Sequence, residues 1–231
     1  MKIFSSLRYR GITTAVLATA TAIFVTLLFS ASASATQFRA GFHYTDYGTP
    51  LTAQPVVTEY ISVFCPACNH LNGYKQEIID SMPAGIPKRR VHVDFIRGTD
   101  MEGLIGIARL IALNEIYGDQ MVSDPVDDVF EVIHQHRARI NNTVIDQIVD
   151  MHNELNPDFN VRAAFESADV DQLALMSTRN QQQMQQAGAV TSVPTLMVNG
   201  RYQINLQNLN PNTMFEEITA IITFLTNKDY R

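Results

Sequence analysis

The chain has 231 residues, 46% of them hydrophobic, and carries 17 lysines and arginines against 23 aspartates and glutamates, for a net charge of −6. An acidic balance of that size argues against nucleic acids and anionic membrane surfaces as partners. Cysteine occurs only twice.

The first 35 residues read as an export signal. Lys2, Arg8 and Arg10 form a positive start, an apolar stretch runs from about Ile12 to Phe29, and Ala33-Ser34-Ala35 is a small-residue cleavage site. The stretch is long enough to compete as a membrane anchor, but Thr13, Thr14, Thr19, Thr21 and Thr26 weaken it as a span. Cleavage after Ala35 is expected. It leaves 196 residues and, with three basic groups removed, a charge of −9. That length supports one sizeable core or a domain with an insertion. Export places both thiols where disulfides form and persist, and the expected location is the periplasm.

Along the remaining chain, Phe42–Tyr47 reads as a short first strand, closed by Gly48-Thr49-Pro50. Val56–Phe64 is nearly continuous in β-formers, the pattern of a strand buried on both faces. Pro66 suits the first turn of a helix expected to run to about Met82. Pro83 to Pro87 breaks it, and the alternation from Arg90 to Ile96 predicts the next strand. From Thr99 to Gly188 the pattern predicts five helices, opened in turn by Asp100, Asp124-Pro125, Asn142 or Thr143, Pro157-Asp158 and Asp169. Strand chemistry returns at Pro194–Val198 and Tyr202–Ile204, which flank the hairpin dipeptide Asn199-Gly200. A last helix is expected from about Asn212 to Thr226.

The two cysteines stand as Cys65-Pro66-Ala67-Cys68, at the junction of the buried strand and its helix. That placement is a thiol–disulfide exchange site. A disulfide there closes a four-residue loop, worth roughly 2 kcal/mol on the chain-entropy account against about 4.7 for a 100-residue loop. A bond meant for stability would span more chain. At the helix start, unpaired N–H groups and the helix dipole favour an anion, so Cys65 is expected to exchange with the partner. Cys68 lies three residues on, on the same face, and is expected to resolve. A zinc site would need four ligands. His134 and His136 are two residues apart, His70 is two past Cys68, and no second cysteine pair exists. No metal is therefore expected. Glu59 is the odd residue of the central strand. Two readings stay open: a proton acceptor and donor beneath the disulfide serving Cys68, or a strand end near water.

The combination of Phe64-Cys65-Pro66-Ala67-Cys68, Glu59 upstream, a helical insertion and Val193-Pro194-Thr195-Leu196-Met197-Val198-Asn199-Gly200-Arg201-Tyr202-Gln203 resembles the DsbA family of thioredoxin-like oxidoreductases. The resemblance covers essentially all of 36–231. It implies an α/β thioredoxin-like fold in two parts, 36–98 and 189–231, with a helical domain inserted at 99–188. It also implies a cis Val193–Pro194 bond facing the disulfide. Substrate then lies extended against Val193, with Pro66, Ala67 and Pro194 around it. The implied activity is donation of the Cys65–Cys68 disulfide to unfolded exported proteins by a monomer. No cofactor beyond that disulfide is implied, and a quinone-linked membrane protein like DsbB would reoxidise it. One departure stands out. The best-studied members carry Pro-His between the cysteines, whereas this chain has Pro66-Ala67, and alanine cannot stabilise a thiolate by charge or hydrogen bonding. Two rival readings are a reductase or isomerase of the same superfamily, and a non-enzymatic thioredoxin-like chaperone. Isomerases of this type dimerise through a separate N-terminal domain, for which 36–55 leaves no room.

Overall fold

The central strand is β2 (Val57–Ile61), every residue of which is buried. Its neighbours complete a five-stranded sheet in the order β1-β5-β4-β2-β3, with β1 at Tyr44–Asp46, β3 at Lys88–His92, β4 at Thr195–Val198 and β5 at Tyr202–Ile204. Only the β2–β3 pair is parallel, and two short helices between those strands make the crossover. The computed structural model describes residues 38–230. The expected export signal lies outside the described residues. Among the described residues, no helix is long and apolar enough to cross a membrane.

The helix after Cys65 departs from expectation. One helix to Met82 was the reading of the sequence; the chain forms α1 (Pro66–Asn72) and α2 (Lys75–Ser81), broken at Gly73-Tyr74. The Gly73 N–H reaches back to both the Asn69 and His70 carbonyls, at 3.3 and 3.2 Å, which tightens the last turn. Asn72 and Gly73 are poor helix formers, so little opposes the break. Tyr74 then turns out to meet the Phe215 ring, with centroids 5.4 Å apart. The strand expected over Arg90–Ile96 also begins and ends earlier, because Pro87 already accepts from the Val57 N–H.

Five helices, α3 (Met101–Tyr117), α4 (Pro125–His134), α5 (Asn142–Leu155), α6 (Val161–Phe165) and α7 (Ala168–Gln186), occupy the interval between β3 and β4. Each starts at a side-chain cap: Asp100, Asp124, Asn141, Asn160 and Ser167 accept from the N–H two or three residues on. The short fourth helix begins at Val161 rather than at Pro157-Asp158, since Asn160 supplies the cap. The hairpin at Asn199-Gly200 has φ of +57° and +66°, the two left-handed residues of a type I′ turn. Helix α8 (Met214–Asp229) closes the chain and buries Ile218, Ile221, Ile222 and Leu225 against β4 and β5. This is a thioredoxin-like sheet interrupted by a helical insertion. The insertion is joined to the sheet through two core clusters: Ile61, Val63 and Cys68 pack with residues of α3 to α7, and Met184 of α7 packs with Tyr60, Val91 and Met197.

Candidate active site

The end of β2 and the start of α1 meet at Ser62–Cys65. The Cys65 N–H bonds the Ser62 carbonyl at 3.0 Å, and the Phe64 N–H bonds the Ser62 hydroxyl at 3.2 Å, closing a tight corner. Cys65 is the N-cap of α1, and its Sγ accepts from the Cys68 N–H at 3.4 Å. An N-capping sulfur faces the unpaired N–H groups of the first turn, where negative charge is favoured. Both thiols are free. Cys65 is half-buried, whereas Cys68 is 1% exposed. Burial is the main influence pushing the Cys68 thiol up, and the Cys65 sulfur and the Glu59 charge add to it. One sulfur is thus open to a partner and the other is sealed beneath it. Pro66 and Ala67, between them, are exposed.

The Val193–Pro194 peptide is cis. The Cys65 Sγ lies 3.7 Å from the Val193 carbonyl, and the Thr195 hydroxyl pins this turn by donating to the Ser192 carbonyl at 2.8 Å. Val193 and Pro194 are partly exposed. Cys65, Val193, Pro194 and the exposed Pro66-Ala67 step therefore share one surface, with Cys68 sealed beneath it.

Glu59 does not belong to that surface. It sits mid-strand, 1% exposed, so the reading as a strand end near water does not hold. The parallel register sets Glu59 opposite Arg90 and Val57 opposite Lys88. Period-2 alternation brings both cations onto its face. Lys88 Nζ lies 3.0 Å and Arg90 Nε 3.3 Å from Glu59 Oε2. Burial draws this carboxyl toward its neutral form, but Arg90 and Lys88 outweigh it and hold it below the usual carboxylate range. Arg90 continues to Asp124 at 3.7 Å, and Lys75 bonds both Asp124, at 3.1 Å, and Asp127. The Asn72 amide donates to Asp127 at 2.8 Å, which returns the chain of contacts to the cysteine helix. This network opens onto a cleft of about 580 Å³ that includes Lys75, Lys88, Arg90, Glu115 and Asp124 in its lining.

Three supporting residues were not apparent from the sequence. His134, at the end of α4, has its Nε2 2.8 Å from the Val63 carbonyl. A carbonyl only accepts, so Nε2 carries the proton there. Gly98 lies against the Phe64 ring; a Cβ on it would stand 2.2 Å from that ring. His92, 8% exposed, meets Phe64 edge-on at 5.9 Å, and burial pushes its pKa down to about 4. The only sequence signal for these was position: His92 falls within the alternation expected for a strand, and Gly98 precedes a capped helix. His70 and His136 stay apart from the cysteines. His70 packs against Tyr74, and His136 pairs with Glu131.

Comparison with known proteins agrees with this fold. The family model described as Thioredoxin matches residues 47–222. The thiol:disulfide interchange protein DsbA of Salmonella typhimurium is 28% identical over 192 residues, which span 79% of this chain and 84% of that one. The oxidoreductase DsbA1 of Neisseria meningitidis superposes with a TM-score of 0.65 at 19% identity, covering 84% of this chain and 96% of that chain. A complex of Proteus mirabilis DsbA with a non-covalently bound peptide superposes with a TM-score of 0.64, also at 19% identity, covering 84% of this chain and 98% of that chain. The chain belongs to the thioredoxin family, and its relatives within that family are the DsbA-type thiol:disulfide oxidoreductases.

Proposed function

We propose that this protein is a periplasmic thiol:disulfide oxidoreductase that donates its Cys65–Cys68 disulfide to unfolded exported polypeptides. The observation that carries the reading is the asymmetry of the pair: a helix-capping, accessible Cys65 beside a Cys68 that is 1% exposed and whose thiol is pushed up. In the oxidised protein, a substrate thiolate attacks Cys65 Sγ and breaks the Cys65–Cys68 bond. Cys68 leaves as a thiolate and takes up a proton. A second substrate thiolate then attacks the substrate sulfur of the mixed disulfide, and Cys65 leaves. Two electrons pass from substrate to protein, and the substrate gains one disulfide.

Glu59 is the carboxylate whose charge reaches Cys68, and it is proposed as the group that relays the Cys68 proton. The redox centre is the disulfide itself, with no further cofactor. The exposed Pro66 and Ala67 and the partly exposed Val193 and Pro194 receive an extended substrate segment. The peptide bound by the Proteus mirabilis relative supports a polypeptide as the substrate. A quinone-linked membrane protein resembling DsbB would restore the disulfide, and the protein would work as a monomer.

The test is disulfide transfer. Oxidised protein mixed with a reduced, unfolded client at equal concentration should transfer close to one disulfide per molecule. Absence of transfer would overturn the reading. Full activity in a double Cys→Ala variant would assign the protein to the chaperones, and rescue of a scrambled client without net oxidation would assign it to the isomerases.

A further inference from the structure

Two loops flank the residues that lead into Cys65, and both carry arginine. The first, 96–100, ends the segment that joins β3 to α3. Its Gly98 backbone lies against the Phe64 ring so closely that an added Cβ would stand 2.2 Å away. The second, 135–141, follows α4, whose last residue His134 bonds the Val63 carbonyl at 2.8 Å. The loops are tied to each other by the Thr99 hydroxyl, which donates to the Ile140 carbonyl at 2.6 Å. Arg97 stands beside Gly98, and Arg137 and Arg139 stand on the second loop, all three exposed.

Their guanidinium groups are unpaired. Among the described residues, Arg97, Arg137 and Arg139 have neither an ion pair nor a side-chain hydrogen bond. Arg89, Arg90, Arg109, Arg162 and Arg201 each hold a carboxylate. The carboxylates around the loops keep their charge but bond other groups, and none pairs with these arginines. Asp94 accepts from Gln182, Asp100 caps α3 at the Gly103 N–H, Glu102 accepts from Asn142, and Glu131 pairs with His136. A chain of net charge −6 thus leaves three unpaired cations on the loops that pack against Val63 and Phe64, the residues leading into Cys65.

We propose that Arg97, Arg137 and Arg139 form a cationic rim that selects substrate segments carrying aspartate or glutamate near the reacting cysteine. The proposal rests on the disulfide-donor reading. Exposed charges add little to static affinity but steer encounter, by about tenfold or more at low ionic strength. The rim acts on the approach of the substrate thiolate to Cys65 and leaves the chemistry of exchange as described.

The experiment measures oxidation of two synthetic cysteine peptides that differ only in flanking glutamates or lysines. Each rate is divided by that peptide's rate with hydroxyethyl disulfide, a neutral oxidant, which cancels intrinsic thiol reactivity. At low salt the acidic peptide should react about tenfold faster than the basic one. The ratio should fall toward one at 1 M salt, where the Debye length is about 3 Å, and also in the triple variant Arg97→Gln, Arg137→Gln, Arg139→Gln. A ratio near one at low salt, or a ratio the triple variant leaves intact, overturns the rim while the donor reading stands. Failure to oxidise either peptide overturns both. Co-sedimentation with phosphatidylglycerol vesicles that the triple variant abolishes, without any peptide preference, would reassign the patch to a membrane surface.

Discussion

Charge is handled in opposite ways on the two sides of the cysteine pair. Beneath it, Glu59 is buried, Lys88, Arg90, Asp124 and Lys75 are half-buried, and every one is paired. On the rim above it, Arg97, Arg137 and Arg139 are exposed and none is paired. Buried charges must be compensated because desolvation of each ion costs several kcal/mol, and removing one partner strands the rest. Exposed charges keep their water and can be left single. The lower set therefore governs stability and the state of Cys68, while the upper set is free to act on what arrives.

The largest effect that sharpens this contrast is expected at Glu59. Glu59→Ala leaves Lys88 and Arg90 facing each other without their shared anion, and urea denaturation at neutral pH should show a loss of about 3–5 kcal/mol. A loss below 1 kcal/mol would mean that water, and not Glu59, satisfies those cations. The same pair has a pH signature. The folded pKa of Glu59 lies below its unfolded value, so its contribution is complete above about pH 4.5 and is lost as pH falls through the folded value.

His92 should produce the next effect, in a different pH window. Burial lowers its folded pKa from 6.5 to about 4. Above pH 6.5 the group is neutral in both states and costs nothing. Between about pH 6.5 and 4 the unfolded chain binds a proton that the folded chain refuses, so stability falls by about 3 kcal/mol across that range. His92→Phe should flatten this slope, whatever it does to stability at pH 8. An unchanged slope would place the acid sensitivity elsewhere.

A smaller effect is expected at Ala67, on the surface between the two charge sets. Ala67→His adds a group able to stabilise the Cys65 thiolate and hence the reduced form. The reduction potential against glutathione should rise by about 30 mV, equivalent to roughly 1.4 kcal/mol for a two-electron couple. No shift would mean that the helix N–H groups already saturate the stabilisation. The smallest effect belongs to the rim. The triple Arg→Gln variant should unfold within about 0.5 kcal/mol of the parent, as surface substitutions without partners do. A larger loss would show that the rim is paired in solution.

Local chemistry was legible in the sequence wherever a few neighbouring residues decide the outcome. Asp100 and Asp124 announce their helices because a cap acts within three residues, and Asn199-Gly200 announces its hairpin because left-handed backbone is cheap there. The cysteine pair was legible for the same reason. The break at Gly73-Tyr74 was less so, because α1 and α2 read as one amphipathic run until Tyr74 finds Phe215, 141 residues away in sequence. The partners of Glu59 depended on strand register: Arg90 opens the expected strand and Lys88 lies before it, and only the parallel pairing of β3 with β2 brings both to Glu59. His134 and Val63 are 71 residues apart, and only the packing of α4 brings them together.

The division of labour between the sulfurs is the centre of the account, and trapping of the mixed disulfide tests it most directly. A reduced client activated as a mixed disulfide with a chromophoric thiol is offered to the Cys68→Ala and Cys65→Ala variants, and covalent adducts are read by mass spectrometry. The account predicts a long-lived adduct on Cys65 in the first variant and little or none on Cys68 in the second, because Cys68 is buried and its thiol is pushed up. Equal adduct formation on the two cysteines, or capture by Cys68 alone, would contradict it.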